Sequence, residues 1–559
     1  MKTWKTNLEE TKQRYINWWN HKGIILSMWE HFQEGVKPHA DIAPPAPARD
    51  LSQKWFDPQW RAEYLDWYVA HSSLMADMLP VANTQLGPGS LAAILGGVFE
   101  GGEDTIWIHP DPNFNDEIVF NPEHPNWLLH KELLKACKAK ANGNYFVGMP
   151  DLMEGLDVLA ALKGTDMVLL DTVMQPEVLE QQMQQINDIY FKVFDELYDI
   201  IREGDEMAFC YFSSWAPGKM SKLQSDISTM ISQDDYRRFV QPFIREQCQK
   251  IDYTLYHLDG VGAMHHLPAL LEIEELNAIQ WTPGVGEPQG GSPKWYDLYK
   301  KILAGGKSVM ACWVTLEELK PLLDHIGADG VHLEMDFHNE REVEQAMRII
   351  EEYTGSSSSV SADVHTNQPV GEQDNAQESI RIREEKSQEE DRMKPLYDAI
   401  VAGKLEPAVE VTKDAIAAGV LPQDIINGYM ITAMGEVGQR FQDGKAFVPQ
   451  LLMAGRAMKG ALELLKPLLA GNASATIGKI VIGTVKGDLH DIGKNLVASM
   501  LEGCGFEVIN IGIDVTCDKF VEAVKENKAD ILCMSALLTT TMTYMQDVIR
   551  ALEEAGIRD

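Results

Sequence analysis

The chain has 559 residues, 45% of them hydrophobic, and a formal net charge of −35. Such a length implies more than one domain, and the acidic balance argues against nucleic acid, whose phosphates need clustered Lys and Arg. Seven cysteines without a Cys-x-x-Cys pair, a polar start at Met1–Glu10, and the lack of any membrane-length apolar run point away from a disulfide framework, a signal peptide and a membrane protein, and towards the cytoplasm.

From residue 1 to 353, helical stretches alternate with short apolar strands, the rhythm of an α/β fold built as a (β/α)8 barrel. Strands are expected at Ala208–Phe212, Tyr253–His257, Ala278–Trp281, Ser308–Cys312 and Gly330–Met335. Helices are expected at Trp295–Leu303 and Leu316–His325. The segment Leu223–Ser232, followed by Phe239-Val240-Gln241-Pro242-Phe243, and the strand ending His257-Leu258-Asp259-Gly260 resemble the uroporphyrinogen decarboxylase superfamily. That superfamily holds porphyrinogen decarboxylases and also methyltransferases that work with corrinoid proteins. The stretch Asn17–Gly23 has no paired arginines for a polycarboxylate, so the resemblance points to the methyltransferase branch.

In a barrel the chemistry gathers at the C-terminal ends of the strands. His257 and Asp259 stand two apart at such an end, so both side chains project to one side. In thiol-methylating relatives this place reads His-x-Cys and binds zinc with a later Cys. Here Asp259 stands at the Cys position, and Glu334 or Asp336 lies near the later one. The resemblance thus implies catalytic His257 and Asp259, with zinc on His257, Asp259 and Glu334. The residues alone leave a metal-free hydrogen-bonded pair equally open. His332, Glu334 and Asp336 alternate along the last strand. Cys312 reads as a small buried hydrophobe. Tyr211, Trp281 and Trp313 are candidate pocket walls or core, Gly87–Ser90 a turn or ligand loop, and Asp151 a pocket acid or helix cap.

Residues 354–391 form a polar, Ser-rich flexible linker that turns helical at its end. From 392 to 472 the apolar spacing of Ile425, Met430, Met434, Val437 and Phe441 implies a helical bundle. Gly435–Phe441 and Phe447–Met458 resemble the helical cap of methyl-carrying corrinoid proteins.

Residues 473–559 read as a flavodoxin- or Rossmann-like α/β domain. The apolar run Lys479–Val485 is a buried parallel strand, and Asn495–Leu501 is a helix. Between them lies Gly487-Asp488-Leu489-His490-Asp491-Ile492-Gly493. The spacing Asp-x-His-x-x-Gly, with Ser535-Ala536-Leu537 closing a later strand, resembles the cobalamin-binding domain of corrinoid proteins. This resemblance implies His490 as the lower axial ligand of cobalt, Asp488 bonded to its far nitrogen, Ser535 extending that relay, and Gly493 and Leu537 beside the nucleotide tail. Strands are expected at 479–485, 507–512 and 530–535, where the family has five, so the module is expected to be C-terminally truncated and weak in cobalamin binding.

Fusion of the two halves resembles halomethane-type methyltransferases. The expected function is corrinoid-dependent transfer of a methyl group between a small methylated substrate and protein-bound cobalamin, with a second methyltransferase or a corrinoid reactivase as partner. The alternatives are a corrinoid carrier or sensor with a silent barrel, and a decarboxylase-like enzyme.

Overall fold

A computed structural model describes residues 3–102, 105–111, 114–284, 286–354, 386–469, 478–488, 492–503, 506–536 and 539–558. The chain divides into two compact units, Met1–Ser357 and Ser358–Asp559. The polar stretch expected as a linker lies almost wholly outside the described residues.

Unit one is mixed α/β. Its strands in chain order are β1 (Ile24–Ser27), β2 (Val81–Ala82), β3 (Val98–Gly101), β4 (Ile106–His109), β5 (Phe146–Met149), β6 (Met207–Phe209), β7 (Trp215–Ala216), β8 (Met220–Leu223), β9 (Tyr253–Asp259), β10 (Ala278–Thr282), β11 (Ser308–Val314) and β12 (Val331–Met335). A six-stranded sheet runs in the order β1-β12-β11-β10-β9-β8, parallel throughout. A second sheet runs β2-β5-β6-β7, with β7 folding back antiparallel on β6. Among the described residues the ladders form these two sheets and an antiparallel β3-β4 pair, where one closed set of eight strands was expected. Strands β10 and β12 are buried along nearly their whole length, because helices such as Tyr296–Ala304 and Leu316–Ile326 cover the sheet.

Two expectations shift here. The run Ala208–Phe212 leaves the strand at Phe209 and turns as a 3-10 segment, Tyr211–Ser213, with Phe212 and Ser213 at φ 59° and 43°. Trp281 is core: it is fully buried against Trp295, with ring centroids 5.0 Å apart.

Unit two opens with helices. Lys386–Val401 begins inside the stretch expected as linker. Leu405–Ala417 follows, then Pro422–Ile425 runs through a π-turn at Ile426–Met430 into Ile431–Gln442, and Val448–Leu469 closes the bundle. Ile425, Met430, Met434 and Val437 are buried in its core as their spacing required. Phe441 is 43% exposed, because the helix ends one residue later and its last turn has no neighbour to pack on. Three parallel strands complete the unit: β13 (Lys479–Thr484), β14 (Glu507–Asn510) and β15 (Ile531–Ser535), in the order β14-β13-β15. β15 is an edge among the described residues, with Ile531 45% exposed.

Candidate functional site

The C-terminal ends of β8 and β9 bring together Asp226, His257 and Asp259. One ligand atom from each lies within 4.8 Å of the others. β9 places His257 and Asp259 on one side by its period of two, and Gly260, at φ 73°, turns the chain away immediately after. Asp226 opens the 3-10 segment Asp226–Met230, directly after Ser225 and three residues beyond the end of β8. Its position is set by Asp157, whose carboxylate accepts hydrogen bonds from the backbone N–H groups of Asp226 (2.8 Å) and Ile227 (2.9 Å).

The electrostatics of this trio favour a cation. Burial holds the His257 imidazolium down to about 3, so the ring is neutral at pH 7. Asp226 is pushed well above the carboxylate range, first by desolvation and then by the charges of Asp157 and Asp259. Asp259 is raised by desolvation, against the pull of Lys222. Among the described residues none donates a hydrogen bond to the Asp259 carboxylate, and Lys222 is already bonded to Asp151 at 2.5 Å. A neutral imidazole and two uncompensated carboxylates are a donor set for a hard or borderline divalent ion such as zinc.

Glu334 does not join the trio. It is 1% exposed and accepts a hydrogen bond from Cys312 Sγ at 3.1 Å, one strand pair away from His257. Burial raises it to about 8, so it is a neutral acid at pH 7. Period-two alternation groups His332, Glu334 and Asp336 on one side, but it does not give their depth. His332 is likewise buried, held by Ser27 Oγ at 2.6 Å. Asp151 is neither an open pocket acid nor a plain cap, but half of a buried ion pair with Lys222. Gly87 and Gly89 have φ of 76° and 85°, and a Cβ on Gly87 would sit 2.6 Å from the Ile106 carbonyl oxygen, so that loop packs on its own chain.

An aromatic rim borders the trio. Phe212 lies 5.9 Å from the His257 ring, and Trp29 contacts Phe212 (4.8 Å), Tyr211 (4.5 Å) and Trp313 (5.9 Å, stacked). Trp29, Tyr211 and Trp313 are half-buried. Asp226 and Trp29 were not singled out from sequence. Asp226 had one signal: it is an acid in the loop just beyond a βα-unit strand, three residues past β8, near the strand-end place that Asp259 occupies in the next unit.

In unit two, β13 is central, with β14 on one side and β15 on the other. Such a switch in strand order opens a crevice at the carboxyl ends of the strands. Asp488 stands in that crevice, four residues past β13, fully buried and accepting from Thr541 Oγ1 at 2.6 Å. Ser535 ends β15 opposite Thr484, and its carbonyl accepts from Val485 N at 3.0 Å. Gly493, on the helix Ile492–Gly503, is exposed, and a Cβ there would meet nothing within 4 Å. Among the described residues the space at Gly493 is therefore open, as a bulky ligand tail requires. His490 and Leu537 lie outside the described residues. The buried acid, the switch-point crevice and the open helix start fit a cobalamin.

Family models described as a B12 binding domain match residues 478–559 and residues 393–466. The chain is 44% identical to trimethylamine corrinoid protein 1 of Methanosarcina acetivorans over 164 residues, which is 29% of this chain and 76% of that protein. It is 43% identical to the dimethylamine corrinoid protein of Methanosarcina barkeri over 171 residues, 30% of this chain and 80% of the relative. Among solved structures, the monomethylamine corrinoid protein of Methanosarcina barkeri shows 37% identity over 30% of this chain and 81% of its own, with a TM-score of 0.22. No helix among the described residues is long and apolar enough to cross a membrane. With a buried acid at a switch-point crevice and these matches, the chain belongs to the corrinoid protein family, and its cofactor is cobalamin.

Proposed function

We propose that this chain is a corrinoid-dependent methyltransferase, with unit one activating a small methylated substrate and unit two carrying the methyl group on cobalamin. The observation that carries the reading is the Asp226–His257–Asp259 trio, a metal-type donor set on the same chain as a cobalamin module.

Unit one reads as a (β/α) barrel of the uroporphyrinogen decarboxylase type. In support, both edges of the six-stranded sheet touch the other sheet's surroundings. At the β1 edge, Leu26 exchanges hydrogen bonds with Asp77, just before β2. At the β8 edge, Met220 N reaches Met207 Sδ on β6. The decarboxylase reading loses ground on charge, since Lys222, the cation beside Asp151, Glu154, Asp157, Asp226 and Asp259, is already paired with Asp151 and is not free for a polycarboxylate.

Zinc held by Asp226, His257 and Asp259 would supply Lewis-acid polarisation of the atom that loses or gains the methyl group. A donor suited to that pull carries a lone pair on this atom, as ethers, thioethers and tertiary amines do. The aromatic rim excludes water and lays the donor's apolar body beside the trio. In unit two cobalamin would supply a cobalt centre able to carry a methyl group. His490 would be its protein ligand, backed by Asp488 and Ser535, with Gly493 and Leu537 leaving room for the nucleotide tail. The bundle at 393–466 would cap the bound cofactor. A second methyltransferase or a corrinoid reactivase completes the system.

The test uses the full chain loaded with cobalamin. A panel of methylated ethers, thioethers and amines is screened for methyl-cobalamin formation by its visible spectrum, with zinc measured on the same sample. One donor reacts, zinc is stoichiometric, and His257→Ala abolishes both while the corrin spectrum is unchanged. Cobalamin binding with no reaction across the panel, and no zinc, would leave the chain a carrier or sensor.

A further inference from the structure

The metal reading depends on a neutral His257 that turns a bare nitrogen towards the two carboxylates. Its Nδ1 is hydrogen-bonded to Gln280 Oε1, so Nε2 is the nitrogen left for the trio. Which nitrogen carries the proton is decided one step further out. Gln280 is fully buried on β10, opposite His257 in the β9–β10 register. Its Nε2 donates to Thr282 Oγ1 (2.7 Å) and to Cys312 Sγ (2.9 Å). The Cys312 thiol in turn donates to Glu334 Oε2 (3.1 Å). These bonds form one line across four adjacent strands, β9, β10, β11 and β12, and every donor in it points the same way.

An amide nitrogen with both hydrogens committed leaves its oxygen for Nδ1, and that oxygen can only accept. The reversed amide would call the single Cys312 hydrogen back from Glu334. Glu334 Oε1 already has no partner among the described residues, so the reversal would take from this buried acid the one hydrogen bond it accepts.

We infer that Gln280 is a positioning residue: anchored by Thr282 and the Cys312–Glu334 pair, it fixes the proton of His257 on Nδ1 and leaves the Nε2 lone pair facing Asp226 and Asp259. This deepens the metal reading above and rests on it for its purpose, but not for its geometry. It also gives work to three buried groups that the substrate site does not use. Cys312 takes part as a thiol, since burial and Glu334 hold it well above its usual range.

The experiment reads the tautomer directly. The full chain is labelled with 15N-histidine, stripped of metal, and studied by two-bond 15N–1H correlation at pH 7. His257 is assigned by the signal lost in His257→Ala. Wild-type protein shows the proton on Nδ1. Gln280→Met, apolar and of similar length, moves it to Nε2 and weakens zinc binding about 10-fold or more, as loss of an outer hydrogen bond to a ligand does. Gln280→Glu still accepts from Nδ1–H and restores the wild-type tautomer. A proton on Nε2 in wild type, or on Nδ1 in Gln280→Met, overturns the assignment. Should Gln280→Met fail to fold, the wild-type and Gln280→Glu spectra still decide it. The tautomer is read without metal, so a chain that binds no zinc defeats the metal reading and leaves this one standing.

Discussion

Two groups of carboxylates stand at the same strand ends of unit one, and they are built on opposite principles. Asp151, Glu154 and Asp157 are each answered by the protein. Asp151 pairs with Lys222, Glu154 accepts from Gln224 N at 3.0 Å, and Asp157 accepts from two backbone N–H groups. Asp226 and Asp259 have no cation of their own. The first group fastens the segment 222–227 to the segment 151–157, and the second is what that fastening presents. An acid that fastens one segment to another is structure, and one held in place without a cation of its own is an invitation to a ligand.

Breaking the fastened group should cost most. Lys222→Met leaves Asp151 buried without its partner, and loss of one side of a buried pair costs about 3–5 kcal/mol. Urea denaturation of unit one should show that loss. A change below about 1 kcal/mol would mean that water already serves Asp151.

The presenting group should behave in reverse. Asp226→Asn keeps the bond from Gln224 Nε2 (2.9 Å) and removes a charge that its neighbours oppose. Stability should hold or rise, while zinc affinity falls by on the order of 100-fold, more than an outer hydrogen bond is worth. Equal losses of stability in both variants would erase the distinction.

A pH-dependent effect separates Glu334 from both groups. Its folded-state value is raised from 4.5 to about 8, so between those limits the native state keeps a proton that the unfolded chain gives up. Stability therefore declines as pH rises through that window, by up to about 1.4 kcal/mol per unit from this residue. Glu334→Gln should flatten the decline when thermal unfolding is compared at pH 5 and pH 8.5. An unchanged slope would place its titration elsewhere.

The sequence disclosed what repeats and hid what depends on depth. Strands β9 to β12 are legible because they are apolar runs bounded by turns. β8 is not: it contains Ser221 and Lys222, and the ion pair with Asp151 is what lets a lysine lie buried in this strand. His257 and Asp259 were found through their spacing. Asp226 was missed because the next strand's partner is set by sheet register, which connects residues that no local pattern joins. Glu334 was expected in the metal set because it lies near the place of the relatives' later Cys, a resemblance that gives a position along the strand but not its depth, and Glu334 lies buried against Cys312. In unit two the strand–loop–helix order around Asp488 was fully legible, whereas Thr541, its hydrogen-bond donor, lies 53 residues away.

The pairing of β1 with β12 also sets a schedule. Ser27 meets His332 across 305 residues of chain. At roughly 5–20 residues per second, a ribosome takes about 15–60 s to make the stretch between them. Through that interval Ile24-Ile25-Leu26 has been synthesised without its partner strand, and long-range pairing is the slow kind. Within the six-stranded sheet the first strand made is the last one paired, so recovery of folded protein depends on how well the cell shelters those three residues in the meantime.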